Sequence, residues 1–206
     1  DSMHIGPAHF IFYSTEFYYY TNYGWDQIER QYRWLEEELK LANANRALRP
    51  WIIVMGHRPM YCLKIGDDSC NIHTLERPEI RQGIHMHRDK NSPRKYGLEE
   101  LFYKYGVDLT ISGHEHFYAR TYPLLNFTVM GGSSVAPYVD AHAPVHIITG
   151  SAGNREHHAP FNPHLQKWVA HHHTDYGYTR LTFKDIHHIV LQQVSDDQVC
   201  RFHNEI

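Results

Sequence analysis

Residues 51–57, WIIVMGH, decide the fold. Apolar residues run without alternation, as in a strand covered on both faces, and the run stops at a glycine that delivers His57 into an open turn. Such a strand belongs to a parallel α/β sheet, so the flanking segments should supply its helices and partner strands.

On its N-terminal side, AHFIFYST (8–15) carries enough apolar and aromatic residues for a strand. Ile28, Tyr32, Leu35 and Leu39 then recur at spacings of three and four, which predicts an amphipathic helix from about 25 to 45, ending before Pro50. On its C-terminal side, the polar segment 62–95, with Gly66, Pro78, Gly83 and Pro93, reads as loop with room for a short helix. YGLEELFYKYG (96–106) is a short helix closed by Gly106, and VDLTISG (107–113) is a third strand. VHIITGSAG (145–153), YGYTRLTF (176–183) and HHIVLQQVS (187–195) add strands, the last two joined by a tight turn. The expected fold class is α/β: a parallel core continuing into an antiparallel sheet, with no internal repeat, low-complexity tract or linker.

At 206 residues, with 42% hydrophobic and 14% aromatic residues, the chain is one globular domain or a large piece of one. A net charge of −3 gives no basic field of the kind a nucleic-acid backbone requires, so nucleic acid is excluded as a partner class. No apolar stretch reaches the roughly 18–20 residues that span a bilayer, which argues against a membrane partner. DSMHIGPAHF lacks the pattern of a signal peptide, and the start of the chain says nothing about export. Cys62 and Cys70 bracket a turn-rich loop that could bring them within disulfide distance, the alternative being two free thiols. Asn126 heads NFT, a glycosylation acceptor pattern. Both features lean toward an extracytoplasmic setting, secreted or lysosomal. Oligomeric state is not written in the sequence.

There are 19 histidines, many in runs at 157–158, 171–173 and 187–188. Clustered imidazoles without fixed geometry read as a solvated, pH-responsive surface. Three others sit where the backbone is fixed: His57 after WIIVMG, and His114 and His116 after VDLTISG. Ligands bind at the carboxyl ends of parallel strands, and imidazole is the commonest metal ligand among side chains, so these three should converge as metal ligands. Gly56 and Gly113 are expected to let the chain turn sharply there. HEHFY has Tyr118 where a helical zinc protease would need its second histidine.

VMGH (54–57) and GHEH (113–116) resemble the V-x-x-H and G-H-x-H motifs of the calcineurin-like metallophosphoesterases. The longer stretches RPWIIVMGHRPMYC, YGLEELFYKYGVDLTISGHEHFYAR, PVHIITGSAGN and DYGYTRLTF…VLQQVSDDQ are similar to the animal purple acid phosphatases, over about residues 4–198. The resemblance implies a metallophosphoesterase-type β-sandwich of mixed sheets flanked by helices. It also implies a dinuclear centre, ferric iron with a second divalent Fe, Zn or Mn, whose bound hydroxide hydrolyses small-molecule phosphate monoesters or phosphoproteins. Carried over by motif, His57 and His114 bind the divalent ion and His116 the ferric ion. His73, with His85 and His87 as alternatives, is the phosphate-binding residue and general acid.

The family's G-D-x-G, G-D-x-x-Y and G-N-H-[DE] ligand motifs do not occur; the Gly-Asp of GDDSC (66–70) lies in a loop, and GNR (153–155) lacks the histidine. Three neutral imidazoles without carboxylates neutralise none of the charge of two such ions, so residues 1–206 are expected to be the C-terminal portion of one catalytic domain whose N-terminal part is missing. Two rival readings stand beside the phosphatase: a catalytically inactive secreted homologue with a His-rich metal- or partner-binding surface, and a metallophosphoesterase acting on diesters or phosphoproteins.

Overall fold

The structure is a computed structural model describing residues 1–206 except 65–69, 72, 134, 154, 156–159, 163, 165, 197–199 and 206, with the backbone alone for 200–205. Its elements run β1 (Ser2–Ile5), β2 (Ala8–Phe12), α1 (Asp26–Ala44), β3 (Trp51–Gly56), α2 (Pro78–Arg81), β4 (Gly83–Ile84), β5 (Lys95–Tyr96), α3 (Leu98–Lys104) and β6 (Leu109–Ser112). They continue through β7 (Tyr118–Thr121), β8 (Leu124–Leu125), β9 (Thr128–Val129), β10 (Val145–Thr149), β11 (Val169–His173), β12 (Gly177–Phe183), β13 (Ile189–Ser195) and β14 (Cys200–Glu205).

β3 covers the residues expected of it, and it is an interior strand of a seven-stranded sheet ordered β1-β2-β3-β6-β10-β7-β11. The four central strands β2, β3, β6 and β10 are mutually parallel, while β1, β7 and β11 join antiparallel at the edges. β12, β13 and β14 form a separate three-stranded antiparallel sheet.

Both faces of the large sheet are covered, which is why β3 shows no alternation. Ile52 and Val54 pack with Ile28, Leu35 and Leu39 of α1 and Leu98, Leu101 and Phe102 of α3. Ile53 points the other way, into a cluster with Phe10, Leu109 and Ile147 and with Ile189 and Leu191 of the small sheet. The result is a β-sandwich flanked on one face by helices, as expected. Truncating a wholly buried residue such as Leu35 or Leu39 removes contacts from that face at a cost of about 2–5 kcal/mol.

Charge at one end and a glycine at another suit the helices to their bounds. Asp26 and Glu29 place negative charge on the first turn of α1, and Gly106 takes φ +62° just past α3. The loop expected over 62–95 contains α2 and the short β4–β5 pair. Cys62 and Cys70 are bonded, with Cα atoms 6.1 Å apart. Asn126 is exposed at the turn between β8 and β9. The 171–173 histidine run, expected as plain surface, belongs to edge strand β11, where His171 and His173 are half-buried and His172 is exposed. His187 and His188 are exposed as expected, His188 lying 2.9 Å from the Asp185 carboxylate. The 157–158 doublet and residues 66–69 of the GDDSC loop lie outside the described residues.

His146 of β10 is buried, with its Nδ1 2.8 Å from the Thr110 hydroxyl, and burial pushes its pKa down to about 4. The unfolded chain therefore takes up a proton, near the ordinary value of 6.5, that the folded chain refuses. Stability should fall as pH drops from 6.5 toward 4, by roughly 3 kcal/mol for this one group. Urea unfolding across that window should show a distinctly shallower fall in His146→Gln than in the natural chain, and equal slopes would refute the assignment.

Candidate active site

β3 and β6 lie side by side, with Gly56 opposite Ser112, so the residues that follow them emerge at the same edge of the sheet. The Gly113 N–H donates to the His57 carbonyl at 3.0 Å, tying the two turns together. The side chains then meet: His114 Nδ1 is 3.2 Å from His57 Nε2, with the rings edge to face and centroids 5.0 Å apart.

The chain turns through His114 itself, at φ +62°, a left-handed conformation in which histidine is one of the enriched non-glycine residues. The roles expected of the two glycines are thereby corrected. An added Cβ at Gly113 would come no nearer than 4.0 Å to the His57 carbonyl oxygen, whereas one at Gly56 would stand 2.6 Å from the Tyr13 ring. Gly56 is needed for close approach and not for the turn.

Two further strand ends complete this corner. After β2, the Thr15 hydroxyl accepts the Arg58 backbone N–H at 2.9 Å, and the Glu16 carboxylate accepts Arg58 Nε at 2.8 Å and Nη2 at 3.1 Å. Burial pushes the Glu16 carboxyl up, but the Arg58 hydrogen bond and charge outweigh it, so Glu16 lies below its ordinary range. Arg58 Nη1 reaches to 3.3 Å from His114 Nε2. A guanidinium can only donate, so Nε2 accepts, and the neutral His114 ring carries its proton on Nδ1 toward His57. After β10, Gly150 packs so closely on the histidine turn that a Cβ would lie 2.2 Å from the Glu115 carbonyl oxygen.

Glu115, between the two histidines, is wholly buried, as is Arg77. One carboxylate oxygen accepts Arg77 Nη2 at 2.9 Å and the other the Leu63 N–H at 2.8 Å, while Arg77 Nη1 donates to the Pro59 carbonyl at 3.0 Å. This pair clamps the turn carrying His114 and His116 to the 59–63 segment that follows His57. Sequence reasoning noted Glu115 only as a failed protease motif. The signal available was an acid placed after a buried strand, where burial demands a partner.

The structure thus brings His57 and His114 together, with His116 half-buried two residues on. Among the described residues no group of three or more His, Cys, Asp or Glu side chains is arranged to hold a metal ion. Both nitrogens of His114 are engaged, and Glu16, the carboxylate brought to this corner, is paired with Arg58. By the chemistry of these donors, the described residues alone do not fit a dinuclear iron-type centre.

Beside Arg58 and His114 opens a cleft of about 1030 Å³. His85 lines it, its Nδ1 donating to the Ser92 carbonyl at 2.6 Å. His73 is exposed, its N–H bonded to the Asn71 side chain at 3.1 Å, and His87 lies against Trp25 with ring centroids 5.5 Å apart. Of these three, His85 is the one among the described lining residues.

Removing one member of the buried Arg77–Glu115 pair strands the other. Glu115→Ala is expected to cost about 3–5 kcal/mol in urea unfolding, while the double variant Glu115→Leu/Arg77→Met recovers much of that loss. Additive losses in the double-mutant cycle would show that the two do not act as a pair.

Comparison with known proteins gives the family. The calcineurin-like phosphoesterase model matches residues 2–118, and the iron/zinc purple acid phosphatase-like protein C model matches 143–202. The chain is 52% identical over 200 residues to acid phosphatase type 7 of Danio rerio, covering 96% of this chain and 44% of that protein. It is 49% identical to the Homo sapiens protein of the same name, covering 96% of this chain and 43% of that one. A purple acid phosphatase from yellow lupin (Lupinus luteus) seeds superposes with a TM-score of 0.71 at 22% identity, covering 100% of this chain and 32% of its own, a likeness of fold. The chain therefore spans under half the length of these relatives. With half its length matched by the phosphoesterase model and half its residues shared with those relatives, the chain belongs to the purple acid phosphatase family of calcineurin-like metallophosphoesterases.

Proposed function

We propose that residues 1–206 are the C-terminal portion of the catalytic domain of a metal-dependent acid phosphatase that hydrolyses phosphate monoesters. The observation that carries this reading is the contact of His57 with His114 at the ends of two adjoining parallel strands, in the two motifs by which the chain resembles its family. In this reading His57 and His114 serve a divalent ion and His116 a ferric ion. The anionic ligands that balance those charges come from outside this sequence, and the 43–44% coverage of the curated relatives supports that division.

What these residues do for a substrate follows from their own chemistry. Arg58 is fixed by Glu16 and by stacking on Tyr19, 4.6 Å from the ring centroid, so its charge is held ready for phosphate oxygens. The expected phosphate-binding residue and general acid is His73, with His85 and His87 as alternatives, and because His85 is the one of the three that lines the cleft, this role is given to His85. The Cys62–Cys70 bond and the exposed Asn126 support a secreted or lysosomal location. No helix among the described residues is long and apolar enough to cross a membrane.

Among the described residues the donor set is incomplete, and one rival stands beside this reading, an inactive homologue using its histidines to bind metal or a partner. Elemental analysis and turnover of the full-length protein separate the two. We expect about two metals per chain, iron included, with release of phosphate from p-nitrophenyl phosphate at acidic pH and much slower cleavage of the bis-nitrophenyl diester. His114→Ala should lose a metal and most of the activity. Full turnover in that variant would overturn the ligand assignment, and a metal-free, inert natural protein would establish the inactive reading.

A further inference from the structure

The cleft beside His114 is larger and more basic than a single phosphate needs. One wall comes from the strand ends and presents Arg58 and His114; another comes from the hairpin between β4 and β5 and presents Arg88, Lys90 and Arg94. Glu79 is the one carboxylate among the described lining residues. Arg94 is pinned by donation to the Gly83 carbonyl at 2.6 Å, while Arg88 and Lys90 are exposed and make no ion pair among the described residues. The hairpin carries these three cations against the single carboxylate of Asp89, which lies between Arg88 and Lys90, so its net charge is positive and favours an anion seated beside it.

Aromatic rings line the same cleft. Tyr20 is 53% exposed, Trp25 is half-buried, and both line the same cavity. Their flat faces suit the apolar face of a ring scaffold. A volume of about 1030 Å³ admits such a scaffold with a charged group on each side.

We propose that the cleft selects ring-scaffold phosphate monoesters bearing a second phosphate, with Arg88 and Lys90, supported by Arg94, as the specificity-determining residues. This rests on the phosphatase reading above. The phosphate to be cleaved lies at Arg58 and His114, the ring lies against Tyr20 and Trp25, and the second phosphate is held by the hairpin.

The test compares glucose 1,6-bisphosphate with glucose 6-phosphate on the full-length protein. The natural protein should prefer the bisphosphate in kcat/KM by about tenfold, mainly through KM. In Arg88→Ala/Lys90→Ala that ratio should fall toward one. Equal kcat/KM in the natural protein, or a preference that survives the double substitution, would overturn the proposal. Calorimetric binding of the corresponding bisphosphonate and monophosphonate, which cannot be hydrolysed, separates this result from the phosphatase reading itself. Tighter binding of the bisphosphonate without turnover of either sugar would keep the cleft assignment and reject the phosphatase; turnover of both sugars with equal phosphonate binding would do the reverse.

Discussion

The buried ion pair of Arg77 with Glu115 is the constraint on which the functional corner depends. Neither side chain reaches solvent, so each charge is tolerable only because the other, with the Leu63 N–H and Pro59 carbonyl, satisfies it. Arg77 and Glu115 are 38 residues apart in sequence, and through the Pro59 carbonyl and Leu63 N–H the pair ties the turn carrying His114 and His116 to the stretch after His57. Together with the Gly113 N–H bond to the His57 carbonyl and the packing of Gly150, it holds the left-handed turn at His114 in place.

That clamp works because the sheet has already done the coarse positioning. Parallel pairing of β2, β3, β6 and β10 brings four carboxyl ends to one edge, and each delivers something different there. β2 leads to the Tyr13 ring against Gly56 and to Glu16 on Arg58, β3 to His57 and Arg58, β6 to the two histidines, and β10 to Gly150 under the Glu115 carbonyl. The corner is therefore the product of long-range pairing, and a change in register of any of these strands would dismantle it.

This explains which parts were legible in the sequence. β3, α1, α3, β6, β12 and β13 announce themselves by local patterns: an apolar run, a 3.6-residue period, or alternation. The meeting of His57 and His114 was legible too, because both follow parallel strands. β7, YART, is only four residues long, and its polar members are buried by tertiary partners, so no local pattern marks it. β11 was hidden because its histidines resemble surface composition while its pairing with β7 is set by a strand about 50 residues earlier. The Arg77–Glu115 pair was equally hidden, since one charge among 20 basic and 23 acidic residues does not name its partner.

The charge balance at the corner gives the remaining step. The two imidazoles are in contact, and the permanent positive charge beside them is Arg58, 3.3 Å from His114. Although Glu16 offsets that charge, it does so from the side away from the imidazole, through Nε and Nη2. The Nη1 edge turned toward His114 carries donor N–H groups and positive charge, complementary to an anion and repulsive to a cation. Carboxylates brought against the same imidazoles would reverse that preference for cations while leaving Arg58 aimed at an anion. In the phosphatase reading proposed above, a phosphate ester held between bound cations and a fixed guanidinium would need both halves, of which the described residues supply the guanidinium.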